Sequence, residues 1–551
     1  MAKPVILAVD DDHEVLSAIE RDLRQRYKQS YRVLSSSAGQ QALETARELK
    51  RRGSQIALFL IDQRMPDMSG TELLAELRVL FPDTKRALLT AYADTEAAIA
   101  AINVVGLDYY LLKPWDPPEQ RLYPVVDDLL ADWRAHATVP FDGVRVVGSR
   151  WSPQSFTTRD FLSRNQVPYQ WIDIDLDAEM RALVTAGSTA TPKLPVVLLA
   201  DGTMLVAPTN AELATKVGMQ TVAVRPFYDL AIIGAGPAGL ACAVYAASEG
   251  LKTLLIEQNA PGGQAGTSSM IENYLGFPNG VTGADLARRA ITQAKRFGVE
   301  VLVSNSVVGL RREDPYRIVE LSNGTEVACH ALMLSSGMAA VKELEVDGVS
   351  RLLGAGVYYG AALSEAAMYR GQHVYVLGGA NSAGQGALFF SRYAEKVTLI
   401  VRKPSLSPQM SQYLVDRIQV TDNINVIGDS AIVAVHGTDH LESMDILNAE
   451  TSVKTTVPVI ALFIFIGVAP RTEPFRPLVA TDDKGFILTG MDAREAARGW
   501  GIGREPMMFE TGVPGIFAAG DVRANANRRI AAAVGEGSAA IFSVHQYLRG
   551  V

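Results

Sequence analysis

Cysteine is almost missing: the 551 residues hold two, Cys242 and Cys329. They form neither a Cys-x-x-Cys pair nor a disulfide framework, and both sit in apolar runs where a buried structural thiol is expected. Positive charge is also short. The net charge is −8 with no block of basic residues, which argues against nucleic acid or an anionic membrane surface as the main partner. Long hydrophobic runs are missing too. The greasiest stretch, 457–468, contains Pro458 and is too short to span a bilayer, so no membrane insertion is expected. Met1-Ala2-Lys3-Pro4 leads straight into a strand pattern ending in acids, so no signal peptide and a cytoplasmic location are expected.

What is present can build several cores. Hydrophobic residues make up 48% of the chain and charged ones 20%, and the length suits about four domains. The 46 glycines cluster where phosphates could be cradled.

Residues 1–137 alternate strand runs (5–9, 32–35, 57–61, 86–89, 109–112) with helical patterns, which predicts an α/β, doubly wound parallel sheet. Such a sheet places its site at the carboxyl ends of the strands. There stand Asp10 and Asp11, Asp62, Thr90, and Lys113-Pro114. Three gathered carboxylates repel unless a hard cation such as Mg²⁺ lies among them. The set resembles the receiver domain of two-component response regulators. That resemblance makes Asp62 the phosphoacceptor and gives Mg²⁺ to Asp10, Asp11, Asp62 and the Arg64 carbonyl. It assigns phosphoryl sensing to Thr90, Lys113 and Tyr110, and implies a histidine kinase or phosphotransfer protein as partner.

Residues 138–220 follow a linker and read strand (144–147), helix from Ser152-Pro153, strand (169–174), then a hairpin around Pro195 and Asp201-Gly202. The order looks like a glutaredoxin or thioredoxin domain, with Pro195 at that family's cis-proline position. Its reactive cysteines would fall on Ser152 and Ser155, and a hydroxyl cannot form a disulfide. A docking or spacer module is expected, with capture of a peptide or thiol in the groove beside Pro195 as the alternative.

From Phe227 a strand runs into Gly234-Ala235-Gly236-Pro237-Ala238-Gly239, a helix follows, and the next strand, Thr253–Ile256, ends in Glu257. This is a dinucleotide fingerprint in its proper context: glycines for close approach to a pyrophosphate, an acid for a ribose diol. A second fingerprint contains Gly378, Ala380, Asn381, Ser382 and Ala383. Its next strand ends in Arg402-Lys403 rather than an acid, which favours NADPH over NADH because Arg402 can hold a 2′-phosphate. Late in the chain, Gly520-Asp521 ends a strand and a helix opens near Arg529 and Ile530.

Two nested Rossmann-like domains in this order look like the low-molecular-weight thioredoxin reductases. The resemblance implies FAD at residues 221–341 and 467–551, around NADPH at 342–466. It carries FAD binding onto Gly234, Gly236, Gly239, Glu257, Gly262, Gly263, Gln264, Asn273, Gly520, Asp521, Arg529 and Ile530, and it implies a homodimer. The family's redox pair would fall on Gly360 and Leu363, so no disulfide can be shuttled there. Three functions stay open. One is phosphorylation-controlled transfer from NADPH through FAD to a non-thiol acceptor (a carrier protein, a quinone or dioxygen). The others are a signalling module with little turnover and a reductase of a small disulfide at the flavin itself. Glycine segments at 353–356 and 465–467 are expected as hinges for rotation of the nested domain.

Overall fold

In the computed structural model, residues 3–51, 54–90, 107–136, 143–177, 180–181, 193–278, 280–360, 363–406, 410–496, 500 and 502–550 are described. The chain divides into two compact units, Met1–Asp142 and Gly143–Val551.

The first unit is a five-stranded parallel sheet, β1 (Val5–Val9), β2 (Arg32–Ser36), β3 (Ile56–Asp62), β4 (Lys85–Thr90) and β5 (Tyr109–Leu112), in the order β2-β1-β3-β4-β5. β1 and β3 are buried along their whole length, the pattern of strands covered on both faces. Helices α1 (His13–Tyr27), α2 (Gly39–Arg51), α3 (Gly70–Leu80) and α4 (Tyr123–His136) supply the cover. Leu16, Ile19, Leu23 and Trp133 pack in one core, and Ala42, Ala46, Leu73 and Leu77 in another. The strand order reverses at β1, so Asp10 and Asp62 end neighbouring strands at the switch point.

The second unit opens with a middle domain: β6 (Val144–Gly148), α5 (Pro153–Arg164), β7 (Tyr169–Asp173), β8 (Val196–Leu198), β9 (Met204–Val206) and α6 (Asn210–Lys216), with sheet order β7-β6-β8-β9. The Leu194–Pro195 bond is cis, as the resemblance implied. Ser152 caps α5 by accepting from the Ser155 N–H at 3.3 Å, so the two serines stand where the thiol pair was expected.

Next come β10 (Phe227–Ile233), α7 (Pro237–Ser248), β11 (Thr253–Ile256), α8 (Gly283–Arg296), β12 (Glu300–Leu302) and the meander β13 (Val307–Glu313), β14 (Tyr316–Leu321), β15 (Glu326–Leu334). After the antiparallel link β16 (Ala340–Val341) a nested sheet follows: β17 (Val357–Tyr359), β18 (His373–Leu377), α9 (Asn381–Phe390), β19 (Lys396–Ile400) and β20 (Ile424–Ile427). A three-stranded sheet, β21 (Ser430–His436), β22 (Ser443–Asn448) and β23 (Lys454–Pro458), precedes β24 (Leu462–Ile464). β25 (Val468–Ala469) pairs with β16, and β26 (Ile516–Ala518) rejoins β15 before the long α10 (Ile530–Leu548). The chain passes into and out of the nested sheet through the paired strands β16 and β25. Residues 353–356 are not at a crossing: a Cβ on Gly354 would stand 2.7 Å from Pro153 Cα, because this turn packs against the middle domain.

Candidate functional sites

In the first unit, ligand oxygens of Asp10, Asp11 and Asp62 lie within 4.8 Å of one another. Lys113 Nζ bridges Asp10 Oδ2 at 2.6 Å and Asp62 Oδ1 at 2.5 Å. The Arg64 N–H donates to the other Asp62 oxygen at 2.8 Å, orienting the carboxylate. Burial raises the Asp10 carboxyl above its ordinary range, against the pull of Lys113. Burial alone would lower the Lys113 ammonium, but its hydrogen bonds and the charges of Asp10 and Asp62 outweigh this and raise it. Thr90 ends β4 buried and Tyr110 is half-buried on β5. An acid cluster balanced by one ammonium fits a divalent cation. Asp10, Asp11, Asp62, Lys113 and the Arg64 backbone meet here, while Tyr110 packs against the core beside α2 and α3.

In the second unit one cavity of about 1220 Å³ receives both glycine loops. Gly234, Gly236, Glu257, Gly263 and Gln264 line it from one side, with Asp521, Arg529 and Ile530. Gly378, Ala380, Ser382, Arg402 and Lys403 line it from the other. Gly239 serves the turn from behind: a Cβ there would lie 1.9 Å from the Gly234 carbonyl oxygen. Gly234 has φ +98°, which favours glycine. Glu257 is fixed by the Ala235 N–H at 2.8 Å and the Asn259 N–H at 3.0 Å. Its carboxyl is raised by burial, opposed by these N–H groups and by the charge of Arg164. Asp521 is raised by burial too, with Arg528 pulling it down.

Three helices open onto this cavity: α7 behind Gly236, α9 behind Ala380 and α10 behind Arg529. None has a side-chain cap. Elsewhere α1, α3, α5, α6 and α8 are capped by Asp12, Ser69, Ser152, Thr209 and Thr282, while the helices Pro118–Arg121 and Gln412–Gln419 also start without a side-chain cap. First-turn N–H groups left without caps beside a cavity suit the phosphates of a dinucleotide. The residues present fit the FAD and nicotinamide nucleotide that the sequence implies.

Some expected residues lie elsewhere. Asn273 is exposed and outside the lining. Asn381 turns away, its Oδ1 accepting from the Ser411 N–H at 2.7 Å. Ala383 backs the second loop, 3.0 Å from where a Gly378 Cβ would be. Gly262 and Gly520 admit the Cβ atoms of Ala287 and Ala238, each 2.7 Å from where a glycine Cβ would be. Gly360 lines the cavity, and among the described residues no cysteine does. Cys242 and Cys329 are fully buried, their thiols donating to the carbonyls of Gly537 and Arg317. Sequence reasoning missed a third contributor: Phe156, Asp160 and Arg164 of α5 reach the same cavity. Their spacing of four was the available signal, hidden because the middle domain reads as a separate module.

Two Rossmann-like domains sharing one cavity define a pyridine-nucleotide flavoprotein. Residues 228–537 match the model of the pyridine nucleotide-disulphide oxidoreductases, and the chain belongs to that family. Residues 6–122 match, and form, a response regulator receiver domain. The chain is 32% identical over 322 residues to the "34.2 kDa protein in rubredoxin operon" of Clostridium pasteurianum, covering 58% of this chain and 97% of the relative. It is also 32% identical to a thioredoxin reductase of Listeria innocua, covering 58% and 94%. Among solved structures, thioredoxin reductase of Lactococcus lactis in its FR conformation is similar at TM-score 0.52 and 30% identity, covering 59% of this chain and all of that one. The protein is a thioredoxin-reductase-like flavoprotein oxidoreductase fused to a receiver domain. No helix among the described residues is long and apolar enough to cross a membrane.

Proposed function

We propose that the protein passes electrons from NADPH through FAD to a non-thiol acceptor (a carrier protein, a quinone or dioxygen), under control of Asp62 phosphorylation. The observation that carries this reading is the cavity: it is lined by both nucleotide loops and by Gly360, and no cysteine of the described residues borders it. When bound, the flavin supplies two-electron exchange with a nicotinamide nucleotide. The chain's own groups bind and orient. The bare starts of α7 and α9 receive pyrophosphates, and Glu257 receives a ribose. Arg402 and Lys403, exposed at the cavity edge, offer charge to a 2′-phosphate. Asp10, Asp11 and Asp62 would hold Mg²⁺ beside the phosphoacceptor.

The test is steady-state NADPH oxidation with a panel of acceptors. Fast turnover with one carrier protein, quinone or dioxygen supports the proposal, and turnover only with a disulfide overturns it. Negligible turnover with every acceptor moves the reading to a signalling module.

A further inference from the structure

The row Phe156, Asp160, Arg164 belongs to a domain with no nucleotide fingerprint of its own, yet it borders the dinucleotide cavity. Positions four apart share one helix face, so the row runs along the cavity for about 12 Å, at 1.5 Å per residue over eight residues. At its start Phe156 packs against Tyr358 of β17, ring centroids 5.1 Å apart. At its far end Asn165 donates from Nδ2 to the Asn259 carbonyl at 3.0 Å, two residues past Glu257. Helix α5 thus spans both nucleotide domains. Arg164 and Asp160 stand 3.7 Å apart, are only partly exposed, and share the lining with Glu257, Gln258 and Asn259.

The geometry points to α5 as a third wall of the adenine-dinucleotide site, with Arg164, paired to Asp160, contacting the adenosine end of the ligand whose ribose Glu257 holds. This rests on the flavin reading above. Glu257 and a pyrophosphate place negative charge around that end, where a cation is needed. Arg164, whose charge acts on Glu257, and Arg471, whose Nη1 reaches Gln258 Oε1 at 3.4 Å, are tied to that end of the lining. A guanidinium can lie on a purine face or donate to ribose and phosphate oxygens. Its charge also acts on Glu257, which favours the ionised acid that accepts from a diol.

The experiment uses the full chain stripped of flavin and titrated with FAD, ADP and FMN by calorimetry. Arg164→Ala is expected to weaken FAD and ADP about tenfold or more, as loss of one charge-assisted contact does, and to leave FMN, which lacks the adenosine, unchanged. Arg164→Lys should recover part of the loss. Thr157→Ala, on the exposed face of α5, should bind as the parent does. Thermal midpoints matched to the parent keep misfolding from imitating the result, and Asp160→Asn gives a second variant should Arg164→Ala fail to fold. Unchanged FAD and ADP affinity in a folded Arg164→Ala protein overturns the proposal and leaves the flavin reading standing. A parent that binds ADP but not FAD overturns the flavin reading alone, with the ADP titrations still deciding on Arg164. A parent that binds neither overturns both.

Discussion

At the scale of single residues, the two cysteines and two serines carry opposite lessons. Burial pushes the Cys329 thiol up to about 12 and lifts Cys242 well above its ordinary value. A raised acid contributes stability in full below its unfolded value, near 9.0 here, and loses it as pH climbs towards the folded value. Unfolding free energy should therefore fall above pH 9 by about 1.4 kcal/mol per pH unit for each thiol. A Cys242→Ala/Cys329→Ala protein should show a shallower alkaline limb in denaturant titrations and still reduce flavin with NADPH. Ser155 is buried, and its hydroxyl has no hydrogen-bond partner within the described structure. Ser155→Ala should then stabilise by about 1 kcal/mol, read as a higher thermal midpoint. At the cavity edge, Arg402→Ala should cost NADPH roughly ten- to a hundredfold in affinity, about 1.5–3 kcal/mol, and spare NADH. Equal losses for the two nucleotides in stopped-flow flavin reduction would remove the 2′-phosphate role.

At the scale of elements, α5 is the piece whose importance the sequence hid. Arg159 on its buried face pairs with Glu365 at 2.9 Å, the two side chains 2% and 0% exposed, and lies 4.2 Å over the Trp171 ring. Glu365→Ala leaves a guanidinium buried without that carboxylate and should destabilise by about 3–5 kcal/mol. A paired apolar replacement, Arg159→Met with Glu365→Leu, should recover most of it, compared by thermal midpoint. The strands and glycine turns were legible because local rules fix them: period and turn chemistry mark β1, β3, β10 and β18 from a few neighbours each. Strand edges moved by a residue or two, as at β3, which runs to Asp62 itself. The acid cluster was legible because all its members end strands of one sheet. The role of α5 was not, since its partners Glu365, Tyr358 and Asn259 lie far along the chain and only tertiary packing brings them near. Asn273 shows the converse, a residue placed by motif matching that the fold leaves at the surface.

At the scale of the whole molecule, the proposed control by Asp62 carries two expectations. Magnesium at a hundredfold its Kd should stabilise the first unit by about 2.7 kcal/mol, and Asp10→Asn should lose that gain in a calorimetric scan. A phosphoryl mimic with Mg²⁺ should change the rate of flavin reduction by NADPH up to about tenfold in the parent and not in Asp62→Ala. The mimic binding without any change in rate or turnover would leave the receiver some other output. The β16–β25 link bears on how such a chain assembles. Strand β26 must join β15 in one sheet although the whole nested domain lies between them in sequence. Closing so long a loop as flexible chain is entropically costly. Because Ala340 pairs with Ala469 and Val341 with Val468, the nested domain, once folded, presents its entry and exit side by side. It then acts as a short turn between the two halves of the flavin sheet. The expected order is an insert that folds before β26 joins β15: destabilising substitutions in the insert should delay protection of β26 amides in pulsed hydrogen exchange, and unchanged timing would count against it.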